Sequence, residues 1–196
     1  MTKHRHFILH KPYGYLSQFV HNEKRRKNRR LLGKLHDFPE GTMAIGRLDQ
    51  DSEGLLLLTT DGKVSNQVLS KKVEKEYYLQ VDGIITDEAI EEIKKGVDIA
   101  LQGEIYETLP CKAFRLDPAP EFAPRLKKIR DARHGPTSWM SVTVNEGKFR
   151  QVRKMSAAVG FPTLRLMRIR IGNIHLNNMK SGEVIEVDDF KLSKNE

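Results

Sequence analysis

Residues 46–62 read GRLDQDSEGLLLLTTDG, a stretch that passes from three carboxylates directly into four consecutive leucines. The leucines predict a buried strand. Asp49, Asp51 and Glu53 match the first half of a calcium-binding EF-hand loop. Position twelve of such a loop requires a bidentate Glu, and here it is Thr60. The stretch therefore predicts a carboxylate-bearing loop that leads into a core strand, and it argues against a calcium site.

The composition favours an anionic partner. The chain has 196 residues, enough for one domain or for two small halves that share a core. Its 34 Lys and Arg against 26 Asp and Glu give a net charge of +8. The single cysteine, Cys111, excludes an internal disulfide and a Cys-rich zinc site. No run approaches the ~20 apolar residues of a membrane span or resembles a signal peptide, so we expect a cytoplasmic protein.

Short apolar runs between turn residues predict strands, and apolar residues at helical spacing predict helices. The predicted strands lie at residues 7–9, 16–19, 43–45, 55–59, 77–81, 140–144, 164–171 and 183–187. The predicted helices lie at 63–70, 87–95 and 149–159, with Thr86 as the N-cap of the second. Residues 117–136 predict a long basic loop. Strands and helices do not alternate strictly, which predicts an α+β fold with a mixed, largely antiparallel sheet and flanking helices.

Positive charge is concentrated in two segments. Residues 22–30 are predicted to form a basic loop or arm, because six of the seven residues from Lys24 to Arg30 are Lys or Arg. A solvated loop and an RNA-contacting arm explain this run equally well. From Lys148 to Arg170 there are seven Lys or Arg and no acid, although the segment is predicted to contain a helix and a strand. Such a surface favours phosphate contact over a merely soluble basic face.

The motif at 46–62, with GRLD followed by EGLLLLTTDG, resembles the catalytic motif of the RsuA-type pseudouridine synthase family. Three further stretches resemble motifs of this family in the same order: KPYGY at 11–15, KEY at 75–77 and EGKFRQVRKM at 146–155. The resemblance spans about residues 7–187. Within the family, QF at 18–19, PTSW at 136–139 and VGFPTLRL at 159–166 are similar to members that act on the large ribosomal subunit.

The resemblance implies the pseudouridine synthase fold with a central RNA-binding cleft. It implies one catalytic domain over 1–196, with room for two sub-halves around the cleft and without an N-terminal S4 domain. The family reaction detaches uridine at its glycosidic bond, rotates the base and rejoins it through C5, with no cofactor and no metal. By resemblance, Asp49 is the catalytic carboxylate, attacking either the ribose or the base, and Arg153 is its cationic partner. Tyr77 would lie against the flipped-out base. The implied RNA contacts are Arg47, which would fill the vacated stack, and Lys75, Lys148, Arg150, Lys154, Arg165 and Arg168.

The resemblance also implies a substrate. We expect 23S ribosomal RNA, in a domain V hairpin near the peptidyl transferase centre, and a monomeric enzyme. Two alternatives stay open: the same chemistry on 16S ribosomal RNA or tRNA, and a non-catalytic RNA-binding ribosome-assembly protein. The non-catalytic RNA-binding protein would explain the charge. It would not explain why four residues match the family motifs at once: Arg47, Asp49, Tyr77 and Arg153. A DNA-binding regulator fits least well, because no helix-turn-helix signature accompanies the basic residues.

Overall fold

The computed structural model describes residues 3–20, 30–70, 73–125 and 127–192. The chain divides into two compact units. Unit 1 consists of Met1–Val73 and Arg168–Glu196, and unit 2 consists of Glu74–Met167. Strand β11 (Thr163–Ile171) begins in unit 2 and ends in unit 1. Within the described ranges, no helix has the length and apolar character that crossing a membrane would require.

Unit 1 is built on an antiparallel sheet. Its elements are β1 (His6–Lys11), β2 (Tyr15–Leu16), β3 (Arg30–Leu31), a 3-10 turn (Leu32–Lys34), β4 (Met43–Ala44), β5 (Glu53–Thr59), α1 (Gly62–Ser70), the end of β11, β12 (Ile174–His175) and β13 (Val184–Val187). Strand β1 lies between β13 and β5 and pairs antiparallel with both. Strands β4 and β12 pair antiparallel with β5 and β11, respectively. The short strands β2 and β3 pair in parallel.

Strand β5 forms the centre of the unit 1 core. All seven of its residues are buried, which confirms the predicted buried strand. Leu56 and Leu58 pack in one cluster with Phe7, Leu9 and Leu32. Burying a leucine side chain contributes about 1.5–3 kcal/mol, so this strand is firmly held in its register. The strand starts two residues before the predicted position 55, because its pairing with β1 extends to residue 54.

Unit 2 is also built on antiparallel strands. Its elements are β6 (Lys75–Asp82), α2 (Asp87–Lys95), β7 (Asp98–Leu101), β8 (Glu104–Glu107), β9 (Lys112–Leu116), a 3-10 turn (Ala132–His134), β10 (Thr137–Val144), α3 (Gln151–Ala158) and the start of β11. Strand β10 pairs antiparallel with β6 on one side and β9 on the other. Strands β7 and β8 form a separate antiparallel hairpin. With the sheet of unit 1, these pairings confirm the predicted α+β fold.

The best-predicted helix is α2. Thr86 is its N-cap and accepts a hydrogen bond from the backbone N–H of Ala89. Other predictions need correction. The strand predicted at 16–19 is reduced to β2, and the helix predicted from 149 begins at Gln151, because Arg150 has a left-handed backbone with φ of 52°. Strands β7 to β9 lack a clear apolar alternation, and Ile105 on β8 is largely exposed, so the sequence carried little signal for them.

Candidate active site

The loop between β4 and β5 carries Asp49. Gly14, just before β2, and Ser17, just after it, hold the backbone on both sides of Asp49. The Ser17 hydroxyl donates to the carbonyl of Leu48 (2.7 Å) and accepts from the N–H of Leu48 (3.0 Å). Gly14 donates its N–H to the carbonyl of Gln50 (2.8 Å), and the Gln50 side-chain amide donates to the carbonyl of Gly14 (3.1 Å). Four hydrogen bonds therefore fix the two neighbours of Asp49.

Arg168 ties the two ends of the same loop together. Its side chain is only 4% exposed. Its Nε donates to the carbonyl of Leu55 (2.7 Å) and its Nη1 to the carbonyl of Arg47 (3.5 Å). Gly54 lies against the backbone of Arg168, where a Cβ atom would come within 2.3 Å of the Arg168 carbonyl oxygen. This close approach, with a φ of +106° at Gly54, requires glycine at the start of β5.

A buried lysine lies beside the loop. Lys11 is fully buried, and its Nζ donates to the carbonyls of Pro12 (2.9 Å) and Tyr15 (2.8 Å). Burial lowers the pKa of Lys11 to about 7. Four charges also act on this pKa: Glu53, Asp51 and Asp49, which raise it, and Arg168, which lowers it. The three carboxylates of the 46–62 stretch therefore interact electrostatically with a buried lysine of the same unit.

The metal alternative has no support in the described parts of the chain. Within these ranges, no three His, Cys, Asp or Glu side chains are grouped so that they could hold a metal ion. The turn after Asp49 instead closes through backbone atoms, because the N–H of Ser52 donates to the carbonyl of Asp49 (3.0 Å). The loop geometry is thus set by hydrogen bonds and by burial.

Unit 2 carries the two other predicted catalytic residues. Tyr77 is half-buried on β6 and lies opposite Val142 of β10, on the same strand face as the buried Leu79 and Val81. Arg153 is half-buried on α3, and its Nη1 donates to the carbonyl of Thr163 (3.4 Å). Each side chain therefore projects from a regular element instead of a loop.

A hydrogen-bond network that the sequence did not reveal holds the start of α3. The carboxylate of Glu146 accepts from the Tyr106 hydroxyl (2.6 Å), the Leu109 N–H (2.9 Å) and the Gln151 side-chain amide. The side-chain oxygen of Gln151 in turn accepts from the Lys148 N–H (3.1 Å). Gln151 is buried, so the loss of these bonds would leave polar groups unsatisfied in the core. The network fixes the helix that carries Arg153.

The predicted RNA contacts differ in exposure. Arg47 and Lys148 are exposed, whereas Lys75, Arg150 and Lys154 are half-buried. Arg165 and Arg168 are 6% and 4% exposed. The Arg165 guanidinium donates to the carbonyl of Ala123 (3.0 Å) and lies 5.5 Å from the Phe122 ring centroid. The bonds of Arg165 and Arg168 to backbone carbonyls favour structural roles for these two, and phosphate contact stays a prediction for the set.

Most of the basic arm predicted at 22–30 lies outside the described residues. Arg30 is described, and it forms the first residue of β3. Its guanidinium lies 5.8 Å from the ring centroid of Tyr15. Tyr15 is also the residue whose carbonyl accepts from Lys11, so the end of the arm reaches the loop that supports Asp49.

Comparison with known proteins places this chain in a family. A family model described as RNA pseudouridylate synthase matches residues 5–158, which include Asp49, Tyr77 and Arg153. The chain belongs to this family. It is therefore an enzyme that isomerises uridine in RNA to pseudouridine, and the resemblance to the RsuA-type synthases is confirmed.

Individual synthases are similar over most of their length. The chain is 40% identical over 172 residues to "Ribosomal large subunit pseudouridine synthase E" of Xanthomonas axonopodis pv. citri, with 87% of each chain covered. It is 38% identical over 184 residues to the protein of the same name from Vibrio parahaemolyticus, covering 92% of this chain and 72% of that one. A crystal structure of a pseudouridylate synthase superposes with a TM-score of 0.74 at 26% identity, covering 95% of this chain and 71% of the other. The predicted pseudouridine synthase fold is confirmed.

Membership in the synthase family leaves the individual residue roles as predictions. Asp49 and Arg47 belong to unit 1, whereas Tyr77 and Arg153 belong to unit 2. The pairing of Asp49 with Arg153 therefore stays a prediction. Sequence reasoning did not find the support residues around the loop. Lys11 lies inside a recognised motif but carries no sign of its burial, and Ser17 has no local signal at all.

Proposed function

We propose that this synthase isomerises one uridine of 23S ribosomal RNA, with Asp49 as the catalytic carboxylate. The observation that carries the catalytic assignment is the support of the Asp49 loop, because the two neighbours of Asp49, Leu48 and Gln50, are hydrogen-bonded to Ser17 and Gly14, respectively. Catalytic groups are effective when a rigid scaffold holds them in one position. The relatives are named as synthases of the large ribosomal subunit, which supports 23S ribosomal RNA as the substrate. Within this RNA we propose a domain V hairpin as the target.

The reaction is balanced without a cofactor. The Asp49 carboxylate attacks the ribose or the base, the glycosidic C1′–N1 bond breaks, and the base rotates before C5 bonds to C1′. The bond that Asp49 formed to the ribose or the base breaks as the product forms, which returns the free carboxylate. The proton on C5 is then lost, with Tyr77 assisting, and N1 gains a proton. There is no net oxidation or reduction. We assign Arg153 as the cationic partner of the Asp49 carboxylate.

The target base must first leave the RNA stack, which costs roughly a few kcal/mol. Arg47 is suited to occupy the vacated place, because it is exposed and lies two residues before Asp49. Its backbone carbonyl is within reach of the buried Arg168 side chain, so its position is supported from within the unit. We further propose that the enzyme acts as a monomer in the cytoplasm.

The test is a matched pair of variants in the same loop. Asp49→Asn should abolish pseudouridine formation, whereas Asp51→Asn, which removes the same charge two residues away, should retain much of it. Both variants and the wild type are assayed under single-turnover conditions on 23S, 16S and tRNA transcripts. Product is expected on 23S RNA alone. Normal yield from Asp49→Asn would refute the catalytic assignment, and product on 16S RNA or tRNA alone would refute the substrate.

A further inference from the structure

Phe149 is a large apolar side chain that the fold leaves in solvent. It lies two residues before the start of α3 and is 70% exposed. The ammonium group of Lys154 lies 5.5 Å from its ring centroid. On the preceding residue, the ammonium group of Lys148 lies 4.6 Å from the ring centroid of Tyr106. The exposed Phe149 ring therefore lies against one ammonium group, and its sequence neighbour Lys148 carries a second one, which lies against the Tyr106 ring.

The backbone around Phe149 is built to hold it there. Arg150 follows with a left-handed conformation, φ 52° and ψ 30°, which is strained for a residue with a Cβ. The buried Gln151 accepts from the N–H of Lys148 through its side chain and donates its own N–H to the carbonyl of Lys148 (3.2 Å). Backbone strain that the surrounding structure enforces is concentrated at functional sites. The exposure of Phe149 is thus a fixed feature of the loop.

The charge around the ring selects its occupant. Burying a Phe side chain is favourable, so a ring left in solvent is available to a partner that covers it. From Lys148 to Arg170 the chain has seven Lys or Arg and no acid, which favours a polyanion. RNA is a polyanion whose unpaired bases stack on aromatic side chains while lysines contact the backbone phosphates. An exposed ring with Lys154 against it and Lys148 next to it in the sequence meets both requirements.

We propose that Phe149 is a base-stacking residue for unpaired RNA, with Lys148 and Lys154 contacting the phosphates on either side. This inference deepens the proposed function and rests on it only in taking RNA as the substrate. It adds a binding residue that does not take part in the chemistry. It also names the RNA feature that is recognised, an unpaired base outside the uridine that reacts.

The experiment measures RNA binding in an Asp49→Asn background, where no turnover occurs under the proposed function. The probes are a labelled single-stranded oligouridylate and a blunt RNA duplex, whose bases are already stacked. Phe149→Ala should raise the Kd for the single strand about tenfold, within the range of one lost base stack, and leave the Kd for the duplex nearly unchanged. Phe149→Tyr should bind like the parent, and Phe149→Leu like the alanine variant.

Ile105 is the matched control, because it is 79% exposed on the neighbouring hairpin and is not aromatic. Ile105→Ala should leave both Kd values unchanged. A second readout places Phe149→Trp in a Trp139→Phe background, where the oligouridylate should quench the new tryptophan. The absence of quenching, an unchanged Kd for Phe149→Ala, or an equal loss in Ile105→Ala would overturn the proposal. Unchanged binding of free RNA with weakened binding to ribosomal particles would assign Phe149 to a protein contact instead.

The two proposals fail separately. Pseudouridine formation by Asp49→Asn would refute the catalytic assignment, but the comparison of single strand with duplex would still report on Phe149. Conversely, loss of the Phe149 effect would leave the role of Asp49 intact.

Discussion

Lys11 is expected to make the stability of this protein depend on pH in the neutral to mildly alkaline range. Burial lowers the pKa of its ammonium from 10.5 to about 7, against the attraction of Glu53 and the neighbouring carboxylates. Between these two values the unfolded chain binds a proton that the folded protein does not bind. The free energy of unfolding therefore rises as the pH rises through this range, and it falls as the pH is lowered toward 7.

The size of the effect follows from the proton count. A difference of one bound proton changes the free energy of unfolding by about 1.4 kcal/mol per pH unit. Folded Lys11 is half protonated at about pH 7 and nearly neutral at about pH 9, so integration over this range gives about 2 kcal/mol. Above this range other groups make the free energy of unfolding fall as the pH rises. Burial raises the pKa of Cys111 to about 11 and also raises that of Tyr78, so the folded protein keeps protons that the unfolded chain loses.

Urea unfolding at a series of pH values measures this dependence. The wild type should gain about 2 kcal/mol between about pH 7 and about pH 9, and Lys11→Met should lose that gain. The variant is also expected to be less stable overall, because the carbonyls of Pro12 and Tyr15 lose their donor. Two controls accompany this variant. Lys11→Gln keeps a hydrogen-bond donor but has no group that titrates, and Lys63→Met removes an exposed lysine and should keep the pH dependence of the wild type. The same pH dependence in Lys11→Met as in the wild type would refute the reasoning.

Two further predictions concern the support of the catalytic loop. Ser17→Ala leaves the N–H and carbonyl of Leu48 without their buried partner, so we expect a loss of about 2–3 kcal/mol in unfolding and a lower single-turnover rate. Ser17→Thr keeps the hydroxyl and should restore most of the rate, and a rate unchanged in Ser17→Ala would contradict a positioning role. Gly54→Ala adds a Cβ against the Arg168 backbone, and we expect a loss of about 3 kcal/mol or more by chemical denaturation. Gly14→Ala, at φ +87° with nothing within 4 Å, should lose only about 1–2 kcal/mol, and equal losses would show that the contact is unimportant.

Local patterns predicted the main elements correctly. Four consecutive leucines in a short run between turn residues favour a fully buried strand, so the position of β5 could be predicted from its own residues. The helix α2 was equally clear, since Thr86 and the apolar face lie within one short segment. The hairpin of β7 and β8 was not predicted, because exposed residues such as Ile105 break the alternation that marks a half-buried strand.

The sequence by itself determined the α+β fold class, the buried strand, the basic character of the chain and, through ordered motifs, the enzyme family. All of these are written in short segments or in composition. Only the tertiary structure decided what supports Asp49. Ser17 reaches Leu48 across 31 residues, and Arg168 reaches Arg47 across 121. Such partners are set by the packing of strands that are distant in the chain, and a serine or arginine gives no local sign of which buried carbonyl it will meet.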